Sequence, residues 1–425
     1  MRRRTAVPAA VAVALAAAAQ PGGASPVRGT PFPQWDAPVL VSDAGRGARE
    51  ISLAIDPRDE RRMFACTPSG VINRQSEQSH YYVTRDGGRR WSYVDVEDGD
   101  LRQYAYEGGD CDVAYDAAGT MYVADTWVGD LSVGASRDGG RTWTGTPLAA
   151  SVPVVDRPWV VGGPPGTVYV VYHAIQGQLP TLMWFTKSTD YGRTFSPAVP
   201  VTTANPSGTY TWEGNLVVAP GGRDLYAVLT RRVTPANPMV PGVDEDRVQL
   251  AYSHDGGLTW ATRDVAVLPQ RPTPATLYPV LALDGGGVLH ATWSAPRPDR
   301  GDTPVYWTSS NDGGVTWRPP VALTTGVHAW APWVTGGARA GQAAFAWLET
   351  PDDPAGEDPR WWFGAATRSP SGQVATGRTT RAPVWVGPQT NPEFEAVRYT
   401  RDGRLHLGMA VFRDGVWALY YQRQR

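Results

Sequence analysis

Cysteine is nearly missing from this chain of 425 residues, with Cys66 and Cys111 the only two. Two thiols so far apart in sequence exclude zinc and redox motifs built on closely spaced cysteines. A surplus of either charge is lacking too: 39 Lys and Arg stand against 41 Asp and Glu, and the net charge of -2 offers no basic footprint for nucleic acid. The six histidines, at 80, 173, 254, 290, 328 and 406, show no metal-ligand spacing, so no metallohydrolase is expected. The one long apolar run, Ala6 to Ala19, is too short and too alanine-rich for a membrane span. Beyond it no helix-period stretch and no independent linker appears, so residues 25–425 are expected to form one domain.

That apolar run follows Arg2, Arg3 and Arg4 and precedes small residues up to Ala24, the pattern of a secretory signal peptide over residues 1–24. No cysteine follows it, which argues against a lipid anchor, and the mature chain is expected to work outside the cytoplasm, in the medium or a periplasm. In such a compartment Cys66 and Cys111 are either free or bonded.

What the chain does have is turn residues and aromatics, with 47 Gly, 38 Pro and 18 Trp. Five copies of one pattern recur: TRDGGRRW (84–91), SRDGGRTW (136–143), STDYGRTF (188–195), SHDGGLTW (253–260) and SNDGGVTW (310–317). A Ser or Thr precedes an Asp by two, a Gly follows by two, and an aromatic closes the unit. Such a unit reads as a hairpin turn in which Asp and Ser/Thr bond nearby N–H groups and Gly supplies positive φ. Asp86, Asp138, Asp190, Asp255 and Asp312 are therefore expected to be turn formers, spaced by 52, 52, 65 and 57 residues. Another step of 57 lands on Ser369 in ATRSPSGQ (366–373), a decayed sixth copy.

The pattern resembles the Asp box of the sialidase (BNR-repeat) superfamily, which implies an all-β fold, a β-propeller of four-stranded antiparallel blades. The box also occurs in other glycosidases, sorting receptors and assembly factors, so it speaks for a scaffold. A second repeat counts the blades. Seven pairs of short apolar strands joined by turns run from ISLAIDPRDERRMFAC (51–66) to EFEAVRYTRDGRLHLGMAVF (393–412), and predict seven blades. The resemblance implies six, the alternative. The last pair is followed only by GVWALYYQ (415–422), so APVLVSD (37–43) is expected to supply the missing strand and close the ring. In this alignment a Cys66–Cys111 bond between blades is geometrically allowed.

In a propeller the starts of the innermost strands gather at one axial mouth, with the repeated turns on the opposite face. The column at that mouth reads Glu50, Asp110, Asp156, Glu213, Tyr278 and Trp330. Converging carboxylates repel and need compensation, which hints at a site; bonding to strand-start N–H groups is the alternative. Arg49, Arg157 and Arg271 lie in or beside the same connections, and a guanidinium grips a carboxylate through two N–H bonds. Trp212, Trp361 and Trp362, placed in loops, and Trp330 offer ring faces for sugars.

The resemblance implies a secreted glycoside hydrolase acting on an acidic glycan, with Tyr278 as nucleophile, Glu213 assisting it, Asp110 or Asp156 as acid/base, and Arg157 with Arg49 or Arg271 binding the acid group. The Phe/Tyr-Arg-Ile-Pro sequence usual in sialidases is missing near the N-terminus. A second chemistry therefore uses two of Glu50, Asp110, Asp156 and Glu213 as a carboxylate pair on another glycan. Two further readings are a non-catalytic propeller binding a glycan or a protein partner, and a structural calcium among the axial acids.

Overall fold

A computed structural model of the chain describes residues 32–42, 48, 50–68, 79–94, 110–127, 130–148, 155–174, 182–202, 211–233, 245–268, 279–297, 299–387, 396–413 and 416–425. The expected signal peptide lies outside them. Every regular element among the described residues is a strand, and the strands assemble into seven antiparallel sheets.

Each sheet follows the order of the chain. Blade 1 comprises Ser52–Ile55, Met63–Thr67, His80–Thr84 and Ser92–Tyr93; blade 2 comprises Cys111–Tyr115, Met121–Trp127, Asp130–Ser136 and Thr144–Leu148. Blade 3 runs from Val155–Gly162 to Val199–Pro200, blade 4 from Thr211–Val218 to Ala261–Leu268, and blade 5 from Val280–Leu283 to Val321–Ala322. Blade 6 holds His328–Gly336, Ala343–Thr350, Arg360–Arg368 and a fourth edge in two pieces, Val374–Arg378 and Trp385–Val386. Blade 7 takes Ala396–Tyr399, Leu405–Arg413 and Val416–Arg423 from the C-terminus, and Val39–Leu40 from the N-terminus completes it, Val39 opposite Tyr421.

The first strand of each blade packs on that of the next, and Ala396–Tyr399 packs back on Ser52–Ile55, so seven blades close a β-propeller. The seven-blade count read from the strand pairs holds, as does closure by the N-terminal strand. Middle strands are buried on both faces because each sheet is covered by two neighbours, as in Met63–Thr67 and His80–Thr84, so they read as continuous apolar runs rather than alternating ones. Fourth strands such as Val321–Ala322 face solvent. The inner strands approach closely: a Cβ on Gly162 would stand 2.1 Å from the carbonyl oxygen of Tyr115 in the preceding blade.

The five repeated turns share one construction. In the third blade Ser188 Oγ donates to Asp190 Oδ1 (2.7 Å) and accepts the Gly192 N–H (2.9 Å). Asp190 in turn accepts the N–H groups of Arg193 and Thr194 and, at 2.6 Å, the Thr194 hydroxyl. The Thr194 and Ser188 hydroxyls and these N–H groups hold the Asp190 carboxyl at about 2, and Thr316 does the same for Asp312. Asp86, Asp138 and Asp255 accept from the same positions of their turns. Gly88 has φ +83, and a Cβ there would meet the Tyr421 ring at 2.1 Å, so the first turn also seals the joint with blade 7. In blade 6 the register departs from the expected sixth copy: Arg368 lies opposite Ala343, the place that Ser310 takes opposite Leu289 in blade 5, so Ser369 stands one residue before the Asp position, and its hydroxyl accepts the Gln373 N–H at 3.1 Å.

Cys66, in the second strand of blade 1, and Cys111, opening blade 2, form a disulfide with Cα atoms 6.3 Å apart.

Candidate functional site

The first strands of blades 1 and 2 are preceded by acids, Glu50 two residues before Ser52 and Asp110 one before Cys111, at the end of the ring opposite the repeated turns. The first strand of blade 3 begins differently. Between Asp156, opposite His173, and Trp159, opposite Val171, its register slips by a bulge, and Arg157 within it has φ +48. A non-glycine residue held there stores roughly 1–3 kcal/mol of strain, and a bulge re-aims a side chain. Here the re-aimed side chain is a guanidinium that reaches both neighbours: Arg157 Nη1 lies 3.4 Å from Glu50 Oε2, and Nε 3.4 Å from Asp110 Oδ2. All three side chains are largely buried, with exposures of 12%, 14% and 23% for Arg157, Glu50 and Asp110. Blade 6 repeats the bulge between Trp330 and Trp333 with Ala331 at φ +45. Its alanine brings no functional group, and the first strand of blade 4 slips as well, between Glu213 and Leu216.

Two acids that the sequence reading did not single out lie beneath this cluster. Asp112 accepts the Ser52 hydroxyl from blade 1 and the Val160 N–H (2.7 Å) from blade 3. Burial raises its pKa, opposed by its hydrogen bonds and by the charge of Arg398. Asp125, opposite Cys111 in the register, accepts from Tyr81 Oη and from Ser79 Oγ (3.0 Å). Burial drives its carboxyl well above the ordinary range, and the negative charge of Asp110 adds to the rise. The raised carboxyl of Asp125 thus stands behind Glu50 and Asp110. Arg398, in the first strand of blade 7, places its guanidinium 5.0 Å from the centre of the Trp333 ring, and desolvation lowers its pKa.

Of the residues expected at the mouth, the structure therefore brings together Glu50, Asp110 and Arg157. Tyr278, Arg49 and Arg271 lie outside the described residues. Asp156, Trp212 and Glu213 are placed by backbone alone, Asp156 opposite His173, Trp212 opposite Thr230 and Glu213 opposite Leu229. Among the described residues no three His, Cys, Asp or Glu side chains converge on a metal-ligand set, and the positive charge between Glu50 and Asp110 is Arg157.

The loop placement of three aromatics is corrected, Trp212 lying in the first strand of blade 4, Thr211–Val218. Trp361 and Trp362 lie in the third strand of blade 6, Arg360–Arg368, 1% and 8% exposed. Trp361 stacks on Trp385 at 5.4 Å and donates to the Gly387 carbonyl, while Arg378 covers the Trp362 ring at 4.0 Å. Both rings are spent sealing the broken outer edge of blade 6. Trp330, 7% exposed within His328–Gly336, is buried in the core as well. A lone acid inside an apolar strand, as in CDVAY (111–115) and MYVAD (121–125), is the sequence signal for Asp112 and Asp125.

No family model matches this chain, and no curated protein matches it. Among solved structures it is similar to an ulvan lyase from a polysaccharide lyase family, with a TM-score of 0.52, 12% identity, and 92% of this chain and 94% of that chain covered. It is similar to a mutant of the α-L-arabinofuranosidase of Fusarium graminearum in complex with an iminosugar inhibitor, with a TM-score of 0.50, 12% identity, and 92% and 98% covered. A Trypanosoma rangeli sialidase mutant displaying trans-sialidase activity aligns with a TM-score of 0.44 at 14% identity, over 74% of this chain and 54% of that one. The first two likenesses are likenesses of fold.

Proposed function

We propose that this propeller is a secreted carbohydrate-active enzyme whose chemistry runs at the axial end built by blades 1, 2 and 3. The observation that carries the reading is Arg157 held between Glu50 and Asp110, in a strained bulge that aims it there. That one guanidinium touches both carboxylates supports their acting together on one scissile bond. Opposite charge nearby keeps a carboxylate ionised as base or nucleophile, and its partner delivers the proton to the leaving group. An ulvan lyase and an arabinofuranosidase among the propellers of similar fold support a glycan as the substrate.

A sialidase-like scheme would use Arg157 to grip the acid group of the substrate and Tyr278, assisted by Glu213, as the nucleophile. A guanidinium already bonded to two protein carboxylates serves the carboxylate pair better, so we assign the chemistry to Glu50 and Asp110. Secretion is supported by the N-terminal pattern and by the Cys66–Cys111 disulfide, a bond that persists in oxidising compartments.

The test is turnover of a glycan panel, covering hydrolysis and elimination, by the mature protein and by Glu50→Gln, Asp110→Asn and Tyr278→Phe variants of verified fold. Loss of roughly 10²–10⁴-fold in kcat in the first two with Tyr278→Phe active is the expected result. Activity abolished by Tyr278→Phe alone would move the chemistry to the sialidase-like pair, and no turnover on any glycan would make this a binding propeller.

A further inference from the structure

The Cys66–Cys111 disulfide lies beside the axial acids. Cys111 is the residue after Asp110 and opens the first strand of blade 2. Cys66 stands opposite Ser52, which follows Glu50 by two. The bond therefore ties together the two strand starts that carry the acids. Cys111, partly exposed, lines the same small cavity as Glu50, Asp110 and Arg157, whereas Cys66 is fully buried.

Hydrogen bonds between blades 1 and 2 gather at the same level. Tyr81, opposite Cys66, donates to Asp125, opposite Cys111, and Ser79 donates to the same carboxyl at 3.0 Å. Ser52 donates to Asp112 and accepts the Val113 N–H at 3.3 Å. Hydrogen bonds near an open mouth compete with water, whereas a disulfide holds its two Cα atoms, here 6.3 Å apart, whatever the solvent does.

The ring has other means of staying closed. Val39–Leu40 pairs with the last strand of blade 7, and blades 1 and 2 share a buried apolar cluster that includes Phe64, Val113, Met121 and Trp143. What the disulfide adds is local. Arg157 arrives from blade 3 and lies 3.4 Å from each acid, so the gap it bridges is set by blades 1 and 2.

We propose that the Cys66–Cys111 disulfide is a positioning element of the axial site, which matches the separation of Glu50 and Asp110 to the span of the Arg157 guanidinium. A dithiol that reduces it gives the S–S bond two electrons and two protons and closes into its own disulfide, which releases that spacing and leaves the ring closed. The catalytic consequence rests on the assignment of Glu50 and Asp110 made above; the spacing does not.

The experiment compares the mature parent, oxidised and dithiol-reduced, with a Cys66→Ala/Cys111→Ala variant and with Asp190→Ala, a control weakened on the turn face. NMR reads the Arg157 Nε–H resonance, assigned by its loss in Arg157→Lys, while circular dichroism and urea unfolding read the fold. Without the bond the fold is expected to persist and the Arg157 resonance to shift and exchange faster with solvent. The signal of Arg297, paired with Asp302 in blade 5, is expected to stay. Asp190→Ala should leave the Arg157 resonance in place. On a glycan that the parent turns over, loss of the bond is expected to lower kcat about ten-fold or more with KM changed less than about two-fold, and reoxidation of the reduced parent to restore it. An unchanged Arg157 resonance, an unaltered kcat where Glu50→Gln abolishes turnover, or collapse of the fold in both the variant and the reduced parent would overturn the proposal. Full turnover in Glu50→Gln and Asp110→Asn, with the Arg157 resonance still sensitive to the disulfide, would count against the axial reading alone.

Discussion

Aspartates at the two ends of this propeller are the same residue in opposite electrostatic states. On the turn face, Asp190 and Asp312 sit at the surface, saturated by two hydroxyls and neighbouring N–H groups, and are held at about 2. Toward the axial mouth, Asp112 and Asp125 are buried, and desolvation outweighs the hydrogen bonds they receive, so their carboxyls titrate high. The difference teaches that one residue type takes opposite states according to whether N–H and hydroxyl donors or burial dominate around it. Five turns repeat one solved hydrogen-bonding problem, while Glu50 and Asp110 are bridged by an arginine that a bulged strand delivers.

The largest effect should come from removing that arginine. Arg157→Met strands Glu50 and Asp110 without a counter-charge and is expected to lower unfolding free energy by about 3 kcal/mol. The triple variant that adds Glu50→Gln and Asp110→Asn should regain most of it, as urea unfolding would reveal. A turn aspartate matters less: Asp190→Ala is expected to cost about 1–2 kcal/mol, in the manner of a lost cap, and to leave turnover untouched.

Proton linkage separates the two ends by sign. The turn carboxyls have folded pKa values below the unfolded value of about 4, so the stability they contribute is present above that value and is lost as pH falls toward 2. Asp112 and Asp125 work the other way, because a raised folded pKa favours the native state most below pH 4 and withdraws that help as pH rises. Thermal melts from pH 3 to 8 should therefore show a smaller decline above pH 4 in Asp125→Asn than in the parent. An Asp190→Ala variant should instead lose less stability between pH 4 and 2. The smallest effect concerns the departed turn of blade 6: Ser369→Asp replaces the hydroxyl that accepts the Gln373 N–H with a charged acceptor, with an expected gain of about 0.5 kcal/mol by chemical unfolding.

Much of this site was legible along the chain. Glu50, Asp110 and Arg157 stand at or beside strand starts, where alignment of the apolar cores puts them at one height. Their pairing was not legible, because it depends on a bulge that no local pattern announces. Asp112 and Asp125 escaped for a related reason: their state is set by Ser52, Tyr81 and Val160, which arrive from other blades. Trp361 and Trp362 read as loop aromatics in a charged, proline-bearing stretch, yet the third strand of blade 6 extends over them. Burying two indoles against Trp385 and Arg378 outweighs the polar character of the neighbouring residues.

By itself the sequence determined what is local and periodic: seven strand pairs, five identical turns, and a lone terminal strand needing a partner. Apolar strand runs and turn chemistry are encoded within a few residues and survive translation from blade to blade. Only the tertiary structure decided what lies between blades: the guanidinium bridge across blades 1 to 3 and the disulfide that staples blades 1 and 2. Those contacts join residues tens to hundreds of positions apart, and they exist because closing the ring brings first and last strands together.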